Sequence, residues 1–265
     1  YLLKSLIDTG AVDATKAKNL TEKIENYRAL TRATDAVDSV SQDTNSLTQA
    51  RGTVQYAGDT MDVSFDSSTR EKIVLRNGKG QLSSETKITQ NGETTESGTW
   101  IKDGWLYLYT KDGGVTAKNK VAVDDSMTDA DLAEVESNQV DKVGLSAIKS
   151  ISVVKDGLTS YYSVDVDASA AAFLSGILEN YVDEDDKDLT SIEVSDIKVT
   201  YTVNGQGVLG AMTTSFRLKI VYASGEFQGD PMVMDMKYTV ATNILATGNA
   251  VSITFPDFSD YVILN

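Results

Sequence analysis

The stretch Trp100-Ile-Lys-Asp-Gly-Trp-Leu-Tyr-Leu-Tyr109 decides the fold class. Its Asp103-Gly104 pair is typical of a two-residue hairpin turn, because a type I′ turn needs positive φ at both central positions. After the turn, the side chains alternate between two faces of a strand. One face carries Trp105, Tyr107 and Tyr109, and the other carries Leu106 and Leu108. Since neither face suits water, this pattern predicts a hairpin inside a large antiparallel sheet.

The same period-two pattern continues on both sides of this hairpin. From about residue 53 onward, apolar residues alternate with polar ones; examples are Val54, Tyr56, Met61, Val63, Phe65, Ile73 and Leu75. Asn77-Gly78 and Asn91-Gly92 predict further tight turns, and Asp156-Gly157 predicts a hairpin between strands 148–154 and 159–165. Four long strands are predicted after it, over 190–203, 207–223, 231–246 and 250–256. Strands joined by tight turns favour a meander over βαβ units.

Two segments have helical periodicity instead. Asp13 is a candidate N-cap for a helix that ends near residue 38, with a buried stripe predicted at Ala17, Leu20, Ile24, Tyr27 and Leu30. Asp167 is a candidate cap for a second helix, whose apolar face would carry Phe173, Leu174, Ile177, Leu178 and Tyr181.

Other segments are less regular. Residues 1–12 fit a short helix or disorder, and the acidic segment near 128–138 fits a short capped helix. The polar stretch from Ser41 to Gln49 fits a helix end, a loop or an edge strand. No Gly-, Ser- or Pro-rich linker interrupts the chain, which favours a single domain over residues 1–265. The alternative is that the acidic segment near 124–138 divides two sheet halves.

Composition excludes several classes of function. The 265-residue chain has a formal net charge of −15 and a pI near 4.4. Such a charge repels phosphate backbones and anionic headgroups, so nucleic acid binding and electrostatic attachment to a membrane are not expected. The sequence contains no cysteine and no histidine. Ser-His-Asp and Cys-His catalysis and the usual zinc sites are thereby excluded.

The acidic runs do not form a recognisable metal site. When an EF-hand loop is started at Asp183, Lys187 falls on a ligand position and Asp188 falls where the loop requires glycine. Gly205-Gln-Gly207 opens a strand and lacks the third glycine of a nucleotide-binding loop. We therefore expect no enzyme activity, no metal and no cofactor. A glycosidase remains a third alternative, since it needs only two carboxylates about 5–10 Å apart across a cleft.

The order of elements resembles that of a known superfamily. A capped amphipathic helix, the stretch 98–109, a mid-chain helix beginning Asp167-Ala-Ser-Ala-Ala-Ala-Phe-Leu, and terminal strands ending in Ile253-Thr-Phe-Pro256 resemble the LolA/LppX-like lipoprotein carriers. The chain is most similar to the secreted lipoproteins of Gram-positive bacteria in that superfamily. The resemblance implies an α+β fold, in which a large curved antiparallel sheet forms an unclosed half-barrel with amphipathic helices packed on its concave face.

The resemblance also implies a location and a function. Such proteins are exported and anchored at the cell surface by a lipidated cysteine, which here would precede the fragment, and membrane contact is made only through that anchor. Members carry lipids or lipoproteins in an apolar cavity, and some bind partner proteins. We therefore expect an extracellular protein that binds a hydrophobic ligand such as an acyl chain between sheet and helices. The alternative is a non-enzymatic partner-binding or structural module with a filled core.

The candidate cavity residues come from three elements. They are Leu20, Ile24 and Tyr27 of the first helix, Trp105 and Tyr107 of the hairpin, and Phe173, Ile177 and Leu178 of the second helix. If the opposite strand face lines the cavity, Leu106 and Leu108 replace Trp105 and Tyr107. Tyrosine hydroxyls would position the polar head of the ligand.

Overall fold

The computed structural model describes residues 13–38, 40–76, 79–90, 92–123, 144–167, 189–222 and 231–264. Within these ranges it contains one α-helix, α1 (Ala14–Asp38), and one sheet of 12 strands. The strands are β1 (Gln42–Tyr56), β2 (Asp59–Arg76), β3 (Lys79–Gln90), β4 (Glu93–Lys102), β5 (Trp105–Asp112), β6 (Val115–Ala122), β7 (Ile148–Asp156), β8 (Thr159–Val166), β9 (Leu189–Val203), β10 (Leu209–Tyr222), β11 (Met232–Thr247) and β12 (Val262–Ile263).

The sheet is open and almost entirely antiparallel. Its strand order is β12-β6-β5-β4-β3-β2-β1-β11-β10-β9-β8-β7, and only the short β12–β6 pair is parallel. Two meanders, β1 to β6 and β7 to β11, meet where β1 pairs with β11. The predicted large, unclosed antiparallel sheet is confirmed, and so is the hairpin turn, because φ is +51° at Asp103 and +76° at Gly104.

Nearly all of the polar segment from Ser41 to Gln49 lies in β1, where it forms the first half of the strand. Strand β1 is central, between β2 and β11. None of the three predicted alternatives for this segment is correct. Polar cross-strand pairs stabilise it in place of apolar alternation. The Ser46 and Thr242 hydroxyls are 2.8 Å apart, and Arg70 donates to Asp43 at 2.6 Å.

Helix α1 begins as predicted, because the Asp13 carboxylate accepts a hydrogen bond from the Lys16 backbone N–H at 2.9 Å. Its buried stripe differs from the prediction, since Leu20 is 49% exposed. The N-terminal half lies at edge strand β7, where Lys23 donates to the Ile148 carbonyl, and Leu20 faces an open groove beside Lys149. The C-terminal half makes the main contact with the sheet.

That contact forms a closely packed core. Leu30 and Val37 of α1 are fully buried, as are Val164 of β8 and Leu218 and Ile220 of β10. Aromatic residues extend this core, and Phe216 stacks on Tyr238 with ring centroids 5.0 Å apart. The predicted second helix and the predicted acidic helix lie outside the described residues.

The end of the chain also differs from the prediction. Residues 250–256 were expected to form a strand, but the chain after β11 makes a short turn and crosses the sheet in an irregular path before β12. Its apolar residues alternate as in a strand. They pack on the face of the sheet, because the strands beneath them are already paired on both edges. Val251, for example, is 1% exposed. We call residues 251–264 the C-terminal strap.

Candidate functional site

The strand register assigns the side chains to two faces. Ile73 pairs with Leu82, Leu82 with Ile101, and Ile101 with Leu106, so these four side chains share a face. Ile73 also pairs with Gln42, which by alternation lies on the same face as Ala50 of the core beneath α1. We call this the helix face. The opposite face, which carries Trp105, Tyr107 and Tyr109, is called the aromatic face.

The structure does not bring the predicted cavity residues together. Ile24 and Tyr27 are half-buried on α1, and Tyr27 packs against the helix-face core. Trp105 and Tyr107 are also half-buried, but they lie on the aromatic face, across the sheet from α1. Leu106 and Leu108 lie on the helix face, and Leu106 packs with Ile73, Leu82 and Ile101. Phe173, Ile177 and Leu178 lie outside the described residues.

The C-terminal strap covers part of the aromatic face. Phe258 stacks on Tyr107 with ring centroids 3.7 Å apart, and Tyr261 meets Tyr107 edge-on at 5.6 Å. Trp100, which pairs with Tyr107 across β4 and β5, lies 5.8 Å from Phe258 and 6.5 Å from Tyr261. The edge-on contacts of Tyr261 are favourable because ring edges are positive and ring faces negative. These four residues form the aromatic cluster.

Polar contacts hold the strap at its end. Lys118 of β6 donates to Asp260 at 2.6 Å, and this hydrogen bond raises the pKa of Lys118. The Leu264 backbone N–H donates to the Lys120 carbonyl at 3.0 Å. Asp257 accepts hydrogen bonds from the Ser259 N–H at 2.9 Å and from its hydroxyl at 3.0 Å, which lowers the pKa of Asp257.

A cleft of about 470 Å³ lies beside the aromatic cluster, between strands β2 to β6 and the strap. Trp100, Tyr109 and Tyr261 give it an aromatic wall, and Pro256 lies on the strap side. Charged side chains of both signs surround the wall; they are Arg70, Glu85, Lys87, Glu96, Lys118 and Asp257. A volume of this size is within the range of small-molecule sites, which combine apolar walls with a few placed polar groups.

Trp100 is the most unusual residue of this cleft. It is 5% exposed, and its indole N–H is buried without a hydrogen-bond partner in the described part of the chain. An unsatisfied buried donor costs about 1–3 kcal/mol. Gly98 makes room for the ring, because a Cβ at this position would lie 2.1 Å from the nearest indole carbon. The indole therefore lies flat along β4 below the strap.

Arg70 connects the cleft to a second buried polar group. It donates to one carboxylate oxygen of Asp43, a residue that is 9% exposed. The other carboxylate oxygen of Asp43 has no partner among the described residues. The Arg70 side chain is 43% exposed and lines the cleft.

Sequence reasoning missed this cleft for a clear reason. The strap forms one side of the cleft, but the segment 250–256 was interpreted as another strand of the sheet. The spacing of Phe255, Phe258 and Tyr261, three residues apart around Asp257 and Asp260, was the available signal. A sheet strand would carry its aromatic residues two apart on one face.

The described ranges contain no group of three or more acidic side chains arranged to hold a metal ion. Within the same ranges, α1 is too polar to cross a membrane.

Comparisons with known proteins give no family assignment. No protein-family model and no curated protein matches the sequence. Among solved structures, the chain is similar to the ywiB protein from Bacillus subtilis, at 8% identity and a TM-score of 0.22, over 79% of this chain and 97% of that one. It is also similar to a DUF1329 family protein from Desulfovibrio piger, at 12% identity and a TM-score of 0.25, over 89% and 96%. TM-scores this low do not establish a shared fold.

Proposed function

We propose that this protein is a non-enzymatic binding protein that holds a hydrophobic ligand, an acyl chain with a polar head, in the cleft below the C-terminal strap. The observation that supports this best is the joint presence of an aromatic wall, a volume of about 470 Å³ and a charged rim. The ligand class is the one expected from the sequence. The proposed site is on the aromatic face, whereas the sequence predicted it between helix and sheet.

Apolar burial would supply most of the affinity. Each Å² of apolar surface removed from water contributes about 25 cal/mol, so an acyl chain against Trp100, Tyr109 and Tyr261 gains affinity with every methylene buried. Arg70 and Lys87 on the rim offer charged donors to a polar head. By contrast, Leu30, Ala33 and Val37 fill the contact between α1 and the sheet.

The resemblance to the LolA/LppX-like carriers supplies the rest of this proposal. On that basis the sheet curves into a half-barrel with α1 on its concave face. The protein is extracellular and anchored at the surface of a Gram-positive bacterium by a lipidated cysteine outside this fragment.

A partner-binding or structural surface module is the second candidate. The filled core beneath α1, where Leu30, Ala33 and Val37 pack against the sheet, supports it.

A glycosidase is less well supported. Glu85 and Glu96 both line the cleft and are diagonal neighbours across β3 and β4, a relation that places residues about 7–8 Å apart. However, Glu96 lies 3.9 Å from Lys111 and directly opposite Lys87, whereas a general acid needs an apolar setting.

The test is native mass spectrometry of protein purified without detergent, followed by extraction and identification of co-purifying lipid. We expect acyl-chain adducts on the unmodified protein and at least a fivefold lower adduct fraction for Tyr109→Ala. Tyr161→Ala removes a 41% exposed tyrosine from the β7–β8 hairpin, outside the cleft, and should leave the fraction unchanged. No adduct, even after incubation with added fatty acid, would favour the partner-binding module.

A further inference from the structure

The unpartnered N–H of Trp100 calls for an explanation. Nearly all buried donors in proteins have a partner, and the exceptions often mark functional groups. The Trp100 indole lines the cleft, yet its Nε1 atom is sealed from solvent, with Phe258 and Tyr261 of the strap packed on the ring. The donor therefore belongs to a residue at the cleft surface, and two of the rings packed on that residue belong to the strap.

The strap is attached in a way that permits this movement. Its ladder with β6 consists of two residue pairs, Val262 with Asn119 and Ile263 with Lys120. The Lys118–Asp260 ion pair that supports it is solvent-exposed, with side chains 35% and 58% accessible. At its other end the strap follows the turn Gly248–Ala250, where Gly248 has a φ of +62°. The contacts at this end are solvent-exposed and the ladder is short, and both features lower the cost of local opening.

We propose that the C-terminal strap lifts when ligand enters the cleft, and that the Trp100 indole N–H then donates a hydrogen bond to an oxygen of the ligand. This inference rests on the proposed function and adds to it the chemistry of the ligand and the way the site opens. In the ligand-free protein the strap shields Trp100 from water, and in the complex the ligand satisfies the donor.

The donor identifies the class of ligand. An indole N–H can only donate, so the ligand must bring an acceptor to the depth of the aromatic wall. An ester or amide carbonyl at the end of an acyl chain meets this need, because it places an uncharged acceptor next to a chain that the aromatic rings can cover. A plain alkane of the same length offers no acceptor and leaves the N–H without a partner.

The first test locks the strap. The chain has no cysteine, so Asn119→Cys with Val262→Cys creates one disulfide between neighbouring positions of the β6–β12 ladder. We expect the oxidised variant to take up an acyl methyl ester at least tenfold more slowly than the same variant after reduction. Ser152→Cys with Ser163→Cys, a facing pair of β7 and β8, is the matched control, and its oxidation should change nothing. Equal uptake by the locked and reduced strap would overturn the proposed opening.

The second test observes the donor itself. The two tryptophans give two indole N–H signals in a ¹⁵N-correlated NMR spectrum, and Trp105→Phe assigns the remaining signal to Trp100. We expect an acyl methyl ester to move this signal downfield, and an alkane of equal length to bind several-fold more weakly without that shift. Binding of both molecules with equal affinity and no downfield shift would overturn the hydrogen bond while leaving the proposed function intact. If neither molecule binds, the proposed function itself fails.

Discussion

Phe258 of the C-terminal strap lies flat on Tyr107 of the central hairpin, with ring centroids 3.7 Å apart and ring planes 11° apart. This stack joins the end of the chain to the β5 strand and covers part of the aromatic face. It also fixes the position of Tyr261, which is 5.2 Å from Phe258 and edge-on to it. This pair of rings therefore helps to position the strap side of the cleft.

Phe258→Ala should release the strap without unfolding the sheet. The loss of the stack and of the buried ring is expected to cost about 1–3 kcal/mol in the free energy of unfolding. Amide hydrogen exchange should accelerate at Tyr261 and Leu264, whose N–H groups bond to Phe258 and Lys120. Leu158→Ala, at an 83% exposed position, is the control. Unchanged exchange at both strap amides would contradict the role of the stack.

Gly98→Ala should displace the Trp100 indole. The new methyl group would lie 2.1 Å from the ring, and overpacking of this kind costs about 1–3 kcal/mol. A denaturant titration measures the loss of stability, and tryptophan emission reports the changed surroundings of the ring. Gly210→Ala is the matched control, because its nearest neighbour is the Thr202 carbonyl oxygen at 3.7 Å. Equal stability of the two variants would show that Gly98 does not accommodate the indole.

Two leucines of α1 should respond very differently to truncation. Leu30 is 0% exposed and Leu20 is 49% exposed. Leu30→Ala is expected to lower the free energy of unfolding by about 2–5 kcal/mol, because it opens a cavity in the core. Leu20→Ala should change it by less than about 0.5 kcal/mol. Urea denaturation followed by circular dichroism measures both, and a similar loss in the two variants would restore the stripe predicted from the sequence.

The Arg217–Asp235 pair should contribute to stability in a pH-dependent way. Arg217 donates two hydrogen bonds to Asp235, at 2.7 and 2.6 Å, and they lower the pKa of this carboxyl below its ordinary value. Since the folded protein then binds this proton less readily than the unfolded chain, the contribution is complete at neutral pH. It is lost as the pH falls below about 4, through the folded-state pKa.

Asp235→Asn should therefore be less stable than the parent at pH 7, and the difference should shrink toward pH 2.5. Urea midpoints measured across this range test the expectation. Asp62→Asn is the control, because Asp62 is exposed and has no ion pair within the described ranges. A stability difference that stays constant with pH would show that the carboxylate charge is not what the pair contributes.

Local sequence signals were sufficient for much of the fold. Asp13 before an apolar period and Asp103-Gly104 between aromatic strands each act over a few residues, so the helix and the hairpin could be predicted. The Ala57-Gly58 turn between β1 and β2 carried a weaker signal, because alanine rarely adopts its φ of +51°. The first half of β1 escaped prediction because its pairing with β2 and β11 is satisfied by polar side chains.

The candidate site was less accessible to prediction because it depends on long-range contacts. The sequence drew attention to the aromatic residues of β5, but which face of this strand meets the helix depends on the register across several strands from Leu106 to Ile73. The cover of the aromatic face depends on where the chain travels after β11. Over 250–256 the alternation is the same for a strap that crosses a sheet and for a strand that joins it, and the three-residue spacing of the aromatic residues begins only at Phe255.

The central claim is that the ligand lies against Trp100 in the cleft, and bromine quenching measures this most directly. In the Trp105→Phe variant, Trp100 is the sole tryptophan. Titration with a fatty acyl ester brominated along its chain should quench its emission saturably, and the unbrominated ester should compete the quenching away. If the ester binds by mass spectrometry but leaves the emission of Trp100 unchanged, the ligand lies elsewhere and the assignment of the cleft is wrong.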